Sequence, residues 1–496
     1  MMGHHFILPS SAKVRRQDRF DLVRSDEYDV PFWDLLTAIL RNESAPITDV
    51  ASLIEALETI AVTLRGTASD VDFGLLRNFI SRRVTEDSAS FFDETWPVLL
   101  RLALEMPVLF PEGKLPSLTS PAGAAVAFSR KQVACLVVHQ FLCSLPPHPW
   151  STESFVDLRP WYSMSSTVHQ GAVEAYLTAL FTYFERIHES VYGQKSILDL
   201  GTDEWAITFA MQSMTEQDVE RLQSNQATRV VLSKTRVEIV NLAESQTAPN
   251  LLGLPDGACV ISANKCIGYG PSGTQEELNV GISPEAYPAV LLAPPLSDQQ
   301  VLICRGAEAM ISIVGYGRDA KLGEVFRQPR SGACEQLSWR SRTMLFMDAL
   351  ELDVLPVEGN SLIPDIYPYS RMSRDMILKA YSGFRSGEYS HIITGLWGCR
   401  TFGGNRYIKC ILQWCAAALA GVPTLRLILS TTEQHQFGEE FAQFIDKTRQ
   451  DGMTVKQMVD ALADLKDKIH DIGPSSGIFA FIANKKIKTA SKYQQY

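Results

Sequence analysis

At 496 residues the chain is too long for one ordinary hydrophobic core, and about 150 residues per domain predicts two to four folded units. Its composition, 46% hydrophobic and 21% charged, is typical of a soluble globular protein. The net charge of -10 excludes a generally basic nucleic-acid binder. No direct nucleic-acid binding is therefore expected, and a polyanionic ligand would have to be held by local amides and arginines.

The cysteines and the apolar segments indicate the compartment. The nine cysteines are scattered, odd in number and without a Cys-x-x-Cys pair, which is typical of a reduced nuclear or cytoplasmic protein. No charged-then-apolar signal segment opens the chain, and the longest apolar run, Ile411 to Val422, has the length of a buried helix. We expect an intracellular monomer that does not contact a membrane.

The first half of the chain is predicted to be helical. Residues 1–30 are polar and partly basic and are predicted to be a flexible lead-in, whereas residues 31–226 are predicted to be an all-helical accessory domain. Apolar residues recur there at helical spacing in six segments: Phe32–Leu40, Val50–Leu64, Phe73–Val84, Trp96–Leu104, Lys131–Leu142 and Ala172–Val191. The histidines His139, His169 and His188 have no carboxylate or cysteine at metal-ligand spacing, so no metal site is predicted.

Strands and helices alternate in the second half. Residues 227–484 are predicted to be an α/β domain with a mixed sheet covered on both faces, followed by a basic tail at 485–496. The predicted strands are 228–232, 236–240, Ala258–Ala263, Val301–Cys304, Met310–Val314, Thr343–Met347, His391–Gly395 and Leu425–Ser430. The predicted helices are Pro284–Leu292, Arg374–Ser382, Arg406–Ala420, Gln436–Arg449 and Val455–Ile469.

A glycine-rich bend and two acids follow the strand Ala258–Ala263. Glycines allow the backbone to approach a phosphate or sugar closely, and the neighbouring carboxylates can donate or accept a proton. The spacing of Gly268, Gly270 and Gly273 also matches a dinucleotide-binding pattern. We disfavour such a site because the next predicted helix begins only at Ser283-Pro284, and no acid ends a second strand about 20 residues further on.

A second glycine loop, residues 394–405, leads into the predicted helix Arg406–Ala420, whose N-terminal amides favour an anion. The two loops are either two walls around a diphosphate or simply two tight turns. Glu276 and Glu277 would repel a diphosphate, so their presence beside the loop indicates a catalytic role rather than phosphate binding alone. An acid at this place could protonate the leaving oxygen of a ribose acetal and then activate water. Because adjacent residues of an extended strand point to opposite sides, one is expected to reach the scissile bond and the other to hold ribose hydroxyls.

Together these motifs resemble the eukaryotic type of poly(ADP-ribose) glycohydrolase, which is built on a macrodomain with a helical accessory region. The resemblance covers most of residues 120–470 and depends on many separate motifs that occur in order. They are Phe128 to Cys143, Ala175 to Arg186, Ala263-Asn264-Lys265, Gln275-Glu276-Glu277, Gly315-Tyr316, Met347 to Leu350, Lys379 to Phe384, and Trp397 to Gly404.

The resemblance implies hydrolysis of the ribose–ribose O-glycosidic bonds of poly(ADP-ribose), mainly from chain ends, with release of ADP-ribose and without a metal or organic cofactor. It implies poly(ADP-ribose) and ADP-ribosylated proteins as partners, and the reversal of ADP-ribosylation in processes such as the DNA damage response. The implied fold is a three-layer α/β/α macrodomain with a mixed sheet, preceded by the helical domain.

The resemblance also implies roles for individual residues. Glu277 would be the general acid and then the base, Glu276 would bind ribose hydroxyls, Asn264 would hold the ribose next to the cleaved bond, and Gln275 would position the acidic pair. The other implied substrate-binding residues are Gly268, Tyr269, Gly270, Gly403 and Gly404 at the diphosphate, and Tyr316 and Phe402 against the ADP-ribose unit.

The chain departs from the family pattern at several positions. Tyr269 replaces the middle of three glycines, and the spacer before Gln275 is shortened. Animal members of the family carry an acid where this chain has Ile261, an asparagine where it has Leu396, and an aromatic residue near the position of Leu429. Tyr269 is expected either to narrow the diphosphate groove or to stack on the ligand. These departures leave two alternatives open, namely a macrodomain that binds ADP-ribose without cleaving it, and a hydrolase of mono-ADP-ribose on protein side chains.

Overall fold

The structure is a computed structural model that describes residues 5–23, 25, 27–66, 72–86, 91–119, 124–150, 155–192, 206–223, 229–326, 339–349, 372–399, 402–465, 472 and 476–485. Residues 486–496 of the predicted basic tail and Thr228 of a predicted strand lie outside this range. None of the helices in the described part is long and apolar enough to cross a membrane.

Most helices predicted from apolar spacing are present with bounds close to those expected, but the predicted helix Pro284–Leu292 is a 3-10 turn at Pro284–Ala286 followed by a separate short helix at Ala289–Leu292. In chain order the α-helices are α1 Phe32–Leu40, α2 Val50–Arg65, α3 Gly74–Glu86, α4 Trp96–Leu104, α5 Met106–Leu109, α6 Arg130–Phe141, α7 Gln170–Tyr192, α8 Glu216–Gln223, α9 Gln275–Gly281, α10 Ala289–Leu292, α11 Met372–Phe384, α12 Arg406–Ala420, α13 Thr432–Gln450, α14 Val455–Leu465 and α15 Gly477–Ala483.

The strands of the described residues are β1 His5–Ile7, β2 Arg15–Gln17, β3 Asp29–Pro31, β4 Lys114–Pro116, β5 Ala124–Phe128, β6 Ile207–Ser213, β7 Arg236–Asn241, β8 Ala258–Ala263, β9 Gln300–Arg305, β10 Ile311–Val314, β11 Lys321–Val325, β12 Thr343–Asp348, β13 His391–Thr394 and β14 Thr424–Leu429. Eight of them form one sheet in the order β5-β6-β9-β12-β8-β13-β14-β7. Pairs from β5 to β12 are antiparallel and pairs from β12 to β7 are parallel, so the sheet is mixed as predicted.

Helices cover both faces of this sheet. Along β8, Cys259 and Ile261 belong to a core shared with α6, α7 and α9, whereas Ala258 and Val260 belong to a second core shared with α11, α12 and α13. This alternation is what a strand buried on both faces requires. The three-layer fold class is therefore confirmed.

The predicted helical region also contributes to the sheet. Strands β5 and β6 lie within residues 31–226 and form one edge of the sheet, so that region is mainly but not entirely helical. Val126 and Phe209 pair within this edge. The cause is tertiary, since β6 pairs with β9 from the second half of the chain. The boundary at 226 stays a prediction.

Two local predictions differ from the structure. The lead-in forms β1, which pairs with β4, and the burial of Phe6, Leu8 and Val14 stabilises this segment. In the described part of the predicted strand at 228–232, Val231 forms only an isolated β-bridge with Thr454, and a 3-10 turn, Leu232–Lys234, begins at Leu232, whose N–H donates to the Met453 carbonyl.

Buried charges join the helical region to the sheet. Arg130 at the start of α6 forms an ion pair with Glu285, and both side chains are at most 4% exposed. Glu308 accepts from both Arg130 (3.3 Å) and Arg186 of α7 (3.4 Å). A buried charge is tolerated only when it is paired, so this cluster fixes how α6 and α7 pack on the rest of the chain.

Candidate active site

A cleft of about 200 Å³ opens beside the carboxyl end of β8. Strands β8 and β13 are parallel but pair only from Ala258 to Cys259, although β8 continues to Ala263. Open α/β sheets bind ligands where neighbouring strands separate at their carboxyl ends. The end of β8 is paired with β12 but not with β13, so the open side of this strand lies at the expected place for a ligand.

Gln275 takes over the hydrogen bonds that a neighbouring strand would make at this end of β8. Its Nε2 donates to the Val260 carbonyl (2.9 Å), and its Oε1 accepts from the Ser262 N–H (2.6 Å). Buried backbone groups need such partners. The side chain of Gln275 thus fixes the first turn of α9, with its two acids, against β8.

The acids lie on a helix, and the expectation of an extended segment there is wrong. Helix α9 begins at Gln275, and Thr274 and Glu277 form a reciprocal capping box in which Glu277 Oε2 accepts from the Thr274 N–H (2.8 Å). The sequence signal was the Thr-x-x-Glu pattern, which satisfies two free N–H groups of a first turn. The next helix after the glycine bend therefore starts at Gln275 and not at Pro284, so a missing helix no longer argues against a dinucleotide site.

Glu276 is buried, and its surroundings favour the uncharged form. Its Oε2 accepts from the Asn264 N–H (2.7 Å), while its Oε1 is buried and has no hydrogen-bond partner within the described residues. Burial raises the pKa of Glu276 to about 8, and the charges of Glu277 and Asp348 act in the same direction, against the hydrogen bonds from the Asn264 and Gly268 N–H groups. A protonated carboxyl group can donate a hydrogen bond to a ribose oxygen.

Glu277 is half-buried and rests on the glycine loop. A Cβ atom built on Gly270 would lie 1.4 Å from Glu277 Oε1 and 2.3 Å from its carboxyl carbon. Any side chain at position 270 would therefore displace the carboxylate. This requirement explains the glycine at 270 more directly than a contact with phosphate does.

Tyr269 points away from the cleft. Its side chain is 3% exposed, its hydroxyl donates to the Tyr287 carbonyl (2.9 Å), and Gln140 of α6 donates to the same hydroxyl. Its ring meets Trp161 edge to face at 5.4 Å. The residue therefore anchors the glycine loop in the helical region, and it is not among the residues that line the cleft.

The second glycine loop forms the opposite wall. Leu396, Gly398 and Phe402 line the cleft, and the Gly404 N–H closes the loop on the Gly398 carbonyl (2.9 Å). Under the loop lies Lys409, fully buried, with its Nζ 5.2 Å from the centre of the Trp397 ring. A Cβ on Gly404 would lie 2.7 Å from Lys409 Cε, so the glycine lets the loop pack directly on this cation.

A buried ion pair supports the strand next to the acids. Asp348, the last residue of β12, is paired with Lys379 of α11, and both side chains are at most 6% exposed. Asp348 is in register with Ala263 of β8, immediately before Asn264. Burial raises the pKa of Asp348, against the effect of Lys379. The pair ties α11 to the end of β12, next to the point at which the glycine loop leaves β8.

Three of the eleven predicted site residues line the cleft. Gln275, Tyr316 and Phe402 line the cleft. Glu276 and Glu277 follow Gln275 in the first turn of α9, and the Asn264 N–H donates to Glu276, but none of these three residues is among those that line the cleft. Gly268 and Gly270 lie in the adjoining loop, and Gly403 and Gly404 follow Phe402 in the opposite loop, also outside the lining.

Several polar residues of the cleft were missed. They are Gln246, Thr247, Ser262, Thr274, Asn279, Ser430 and Gln434. Only Thr274 had a local signal, the capping-box pattern. The others come from segments far apart in the chain, so their meeting depends on the sheet order and could not be inferred from spacing.

No group of three potential metal ligands occurs among the residues that the structure describes. His139 on α6 is a structural residue. Its ring nitrogens contact the Ser144 hydroxyl (2.7 Å) and the Ala103 carbonyl (3.0 Å). Burial lowers the pKa of His139 to about 4, so it is neutral in the core.

The sequence matches two family profiles in separate parts of the chain. Residues 243–437 match "Poly (ADP-ribose) glycohydrolase (PARG), Macro domain fold", and residues 84–198 match "Poly (ADP-ribose) glycohydrolase (PARG), helical domain". Together the two matches cover more than half of the 496 residues.

Individual relatives are distant. The chain is 25% identical over 311 residues to poly(ADP-ribose) glycohydrolase 1 of Caenorhabditis elegans, covering 60% of this chain and 35% of that protein. It is 22% identical over 406 residues to probable poly(ADP-ribose) glycohydrolase 2 of Arabidopsis thaliana, covering 70% of this chain and 73% of that protein. The chain thus spans about a third of the length of the worm protein.

Among solved structures, the poly(ADP-ribose) glycohydrolase of Deinococcus radiodurans in complex with ADP-ribose matches with a TM-score of 0.29 and 13% identity, over 46% of this chain and 91% of that one. On the two profile matches, which cover the helical region and the sheet separately and in order, the chain belongs to the poly(ADP-ribose) glycohydrolase family.

Proposed function

We propose that this protein hydrolyses the ribose–ribose O-glycosidic bonds of poly(ADP-ribose) and releases ADP-ribose, mainly from chain ends. The observation that carries the proposal is the pair Glu276 and Glu277 at the N-terminus of α9. One carboxyl group is buried in surroundings that favour its protonated form and the other is half-buried, and carboxyl groups in different environments can take different roles in acid–base catalysis. Family membership supports the substrate.

A terminal ADP-ribose unit would occupy the cleft between the two glycine loops. Its diphosphate would face the amides of both loops and the N-terminal end of α12, with the charge of buried Lys409 beneath. Tyr316 and Phe402 line the cleft and offer aromatic surface to the adenosine or ribose. The reacting ribose would then lie over the first turn of α9.

In the proposed reaction Glu277 donates its proton to the oxygen that links two riboses. The bond between that oxygen and the anomeric carbon breaks through an oxocarbenium-like transition state. Glu277, now a carboxylate, accepts a proton from water as the water oxygen bonds to the anomeric carbon, which restores the acid and completes hydrolysis. The products are ADP-ribose and a polymer that is one unit shorter.

Glu276 would bind rather than transfer protons in this scheme. Its Oε2 is held by the Asn264 N–H, and its Oε1, which has no partner within the part of the chain that the structure describes, would bind a ribose hydroxyl. Because its surroundings favour the protonated form, it would add no negative charge next to the diphosphate. A protonated Glu276 would not repel the diphosphate, in contrast to the repulsion that the sequence predicted for the adjacent acids.

The alternative is a protein that binds ADP-ribose without cleaving it. One observation favours it, because Glu277 Oε2 is occupied by the Thr274 N–H and only Oε1, above Gly270, is left for proton transfer. Removal of mono-ADP-ribose from protein side chains is a third outcome that the same assay would detect.

The proposal is tested by incubating the purified protein with poly(ADP-ribose) and, separately, with a protein that carries a single ADP-ribose. Release of monomeric ADP-ribose from the polymer at early times is expected, with little release from the singly modified protein. Short oligomers at early times would contradict the preference for chain ends. Calorimetric binding of ADP-ribose without any product would select the non-catalytic alternative.

A further inference from the structure

The helical region reaches the catalytic end of the cleft through two aromatic residues. Trp161 is 1% exposed, and its indole N–H donates to the Gly270 carbonyl (3.1 Å). Tyr176 of α7 is fully buried, and its ring lies 5.1 Å from the Trp161 ring. Both residues come from the half of the chain that carries no predicted site residue.

The Gly270 backbone sets the position of the Glu277 carboxylate. A Cβ on Gly270 would coincide with Glu277 Oε1, so the carboxylate rests directly on this backbone. The bond from Trp161 restrains the Gly270 peptide from the other side, and Tyr269 is fixed next to it by its bond to the Tyr287 carbonyl. A shift of this loop would move both the general acid and the amides proposed to face the diphosphate.

Tyr176 supports the face of α9 that carries Glu277. Glu277 and Gly281 are four residues apart and therefore lie on the same face of the helix. A Cβ on Gly281 would lie 2.2 Å from Cδ1 of Tyr176, so the tyrosine ring packs directly on that face. Gly281 lacks a side chain where the ring needs the space.

The hydroxyl of Tyr176 is a buried donor near Glu277. Within the described residues the hydroxyl has no well-formed hydrogen bond, although the Gly273 backbone N–H interacts with its oxygen. Burial, and next the charge of Glu277, raise the pKa of Tyr176 well above its usual 10, so the group keeps its proton. A buried hydroxyl beside a carboxylate stabilises its charged form, which is the form that Glu277 takes after it has released its proton.

We propose that Trp161 and Tyr176 are positioning residues for Glu277, contributed by the helical region. Trp161 holds the Gly270 peptide on which the carboxylate rests, and Tyr176 donates to the carboxylate that forms once Glu277 has released its proton. The part of this inference that concerns Tyr176 rests on the proposed hydrolysis of poly(ADP-ribose). The part that concerns Trp161 also applies if the protein only binds ADP-ribose.

The test uses the full chain with Trp161→Phe, Tyr176→Phe and the matched control Tyr183→Phe. Tyr183 is also a buried tyrosine of α7 whose hydroxyl has no hydrogen bond to any residue that the structure describes, but it faces Arg130 and Glu285. We expect Tyr176→Phe to lower kcat about 3- to 10-fold with KM and the Kd of ADP-ribose unchanged, because it removes one hydrogen bond of the transition state. We expect Trp161→Phe to weaken ADP-ribose binding about 3- to 10-fold, and Tyr183→Phe to change neither quantity.

The outcomes separate this inference from the proposed function. If the wild type degrades poly(ADP-ribose) and both variants behave like Tyr183→Phe, the inference is wrong and the function stands. If the wild type binds ADP-ribose without degrading the polymer, the function fails and the Kd of Trp161→Phe decides the inference. Should Trp161→Phe not fold, Trp161→His, which keeps a ring N–H, must bind ADP-ribose within about threefold of the wild type.

Discussion

At the residue scale, the two adjacent acids have different surroundings and therefore different chemistry. Glu276 is enclosed and linked to the Asn264 N–H, while Glu277 lies half-buried on Gly270. The sequence predicted the pair and its division of roles, but attributed the division to the two sides of a strand. In helix α9 successive side chains point in different directions around the helix axis, which separates the two carboxyl groups. Their different burial then gives them different tendencies to be charged, and burial cannot be inferred from sequence spacing.

The raised pKa of Glu276 predicts how stability depends on pH. The unfolded chain releases this proton near the usual value of 4.5, while the folded protein holds it up to about 8. Between these values the native state binds more protons, so the free energy of unfolding of the wild type falls relative to Glu276→Gln as pH rises, by at most about 1.4 kcal/mol per pH unit.

Urea unfolding of both proteins at several values between pH 4.5 and 9 would measure this difference. The control is Glu439→Gln, an exposed glutamate on α13. The prediction fails if the wild type and Glu276→Gln keep a constant difference across the window.

At the element scale, α9 organises the site. Its Thr274 cap, its first residue Gln275 and its two acids connect the glycine loop to the open side of β8. Sheet strands and long helices could be predicted from periodicity because each buries a regular set of apolar residues. The seven-residue α9 has no such stripe, and its partly polar sequence predicted a loop. Its fold depends on a cap and on bonds from Gln275 to a strand.

Thr274→Ala is expected to destabilise the protein by about 0.5–2 kcal/mol, since it removes the acceptor for the Glu277 N–H. It should also lower kcat, because the reciprocal bond from the Thr274 N–H orients Glu277. Ser129→Ala is the matched control, as Ser129 caps α6 with a capping box of the same kind away from the cleft. Urea unfolding and polymer hydrolysis are measured together; equal kcat values for the two variants would mean that the cap does not orient the acid.

At the scale of the whole molecule, the helical region and the sheet form one packed structure. Strands β5 and β6 extend the sheet, the Arg130, Arg186, Glu285 and Glu308 cluster is buried between α6, α7 and the second half, and Tyr269 is anchored by α6. The sequence predicted both regions but not their junction. Residues far apart in the chain build it, and a single sequence shows periodicity within elements rather than contacts between them.

Removal of Arg130 should destabilise this junction strongly. Arg130→Met would leave Glu285 and Glu308 without their main buried partner, and the expected loss is about 3–5 kcal/mol. The exposed pair of Arg82 with Glu174 provides the control, because Arg82→Met should cost less than about 1 kcal/mol. Unfolding followed by circular dichroism and by tryptophan fluorescence should give coincident transitions for the wild type. Two separate transitions would show that the regions unfold independently.

The assignment of Glu277 as the general acid and base is tested most directly by Glu277→Gln. Hydrolysis of poly(ADP-ribose) and calorimetric binding of ADP-ribose are measured on the variant, on the wild type and on Glu439→Gln. We predict a loss of kcat of about 10²- to 10⁴-fold with the Kd of ADP-ribose within about threefold of the wild type, because the amide keeps the size of the side chain but cannot transfer the proton. Hydrolysis by Glu277→Gln at the wild-type rate would contradict the proposed mechanism.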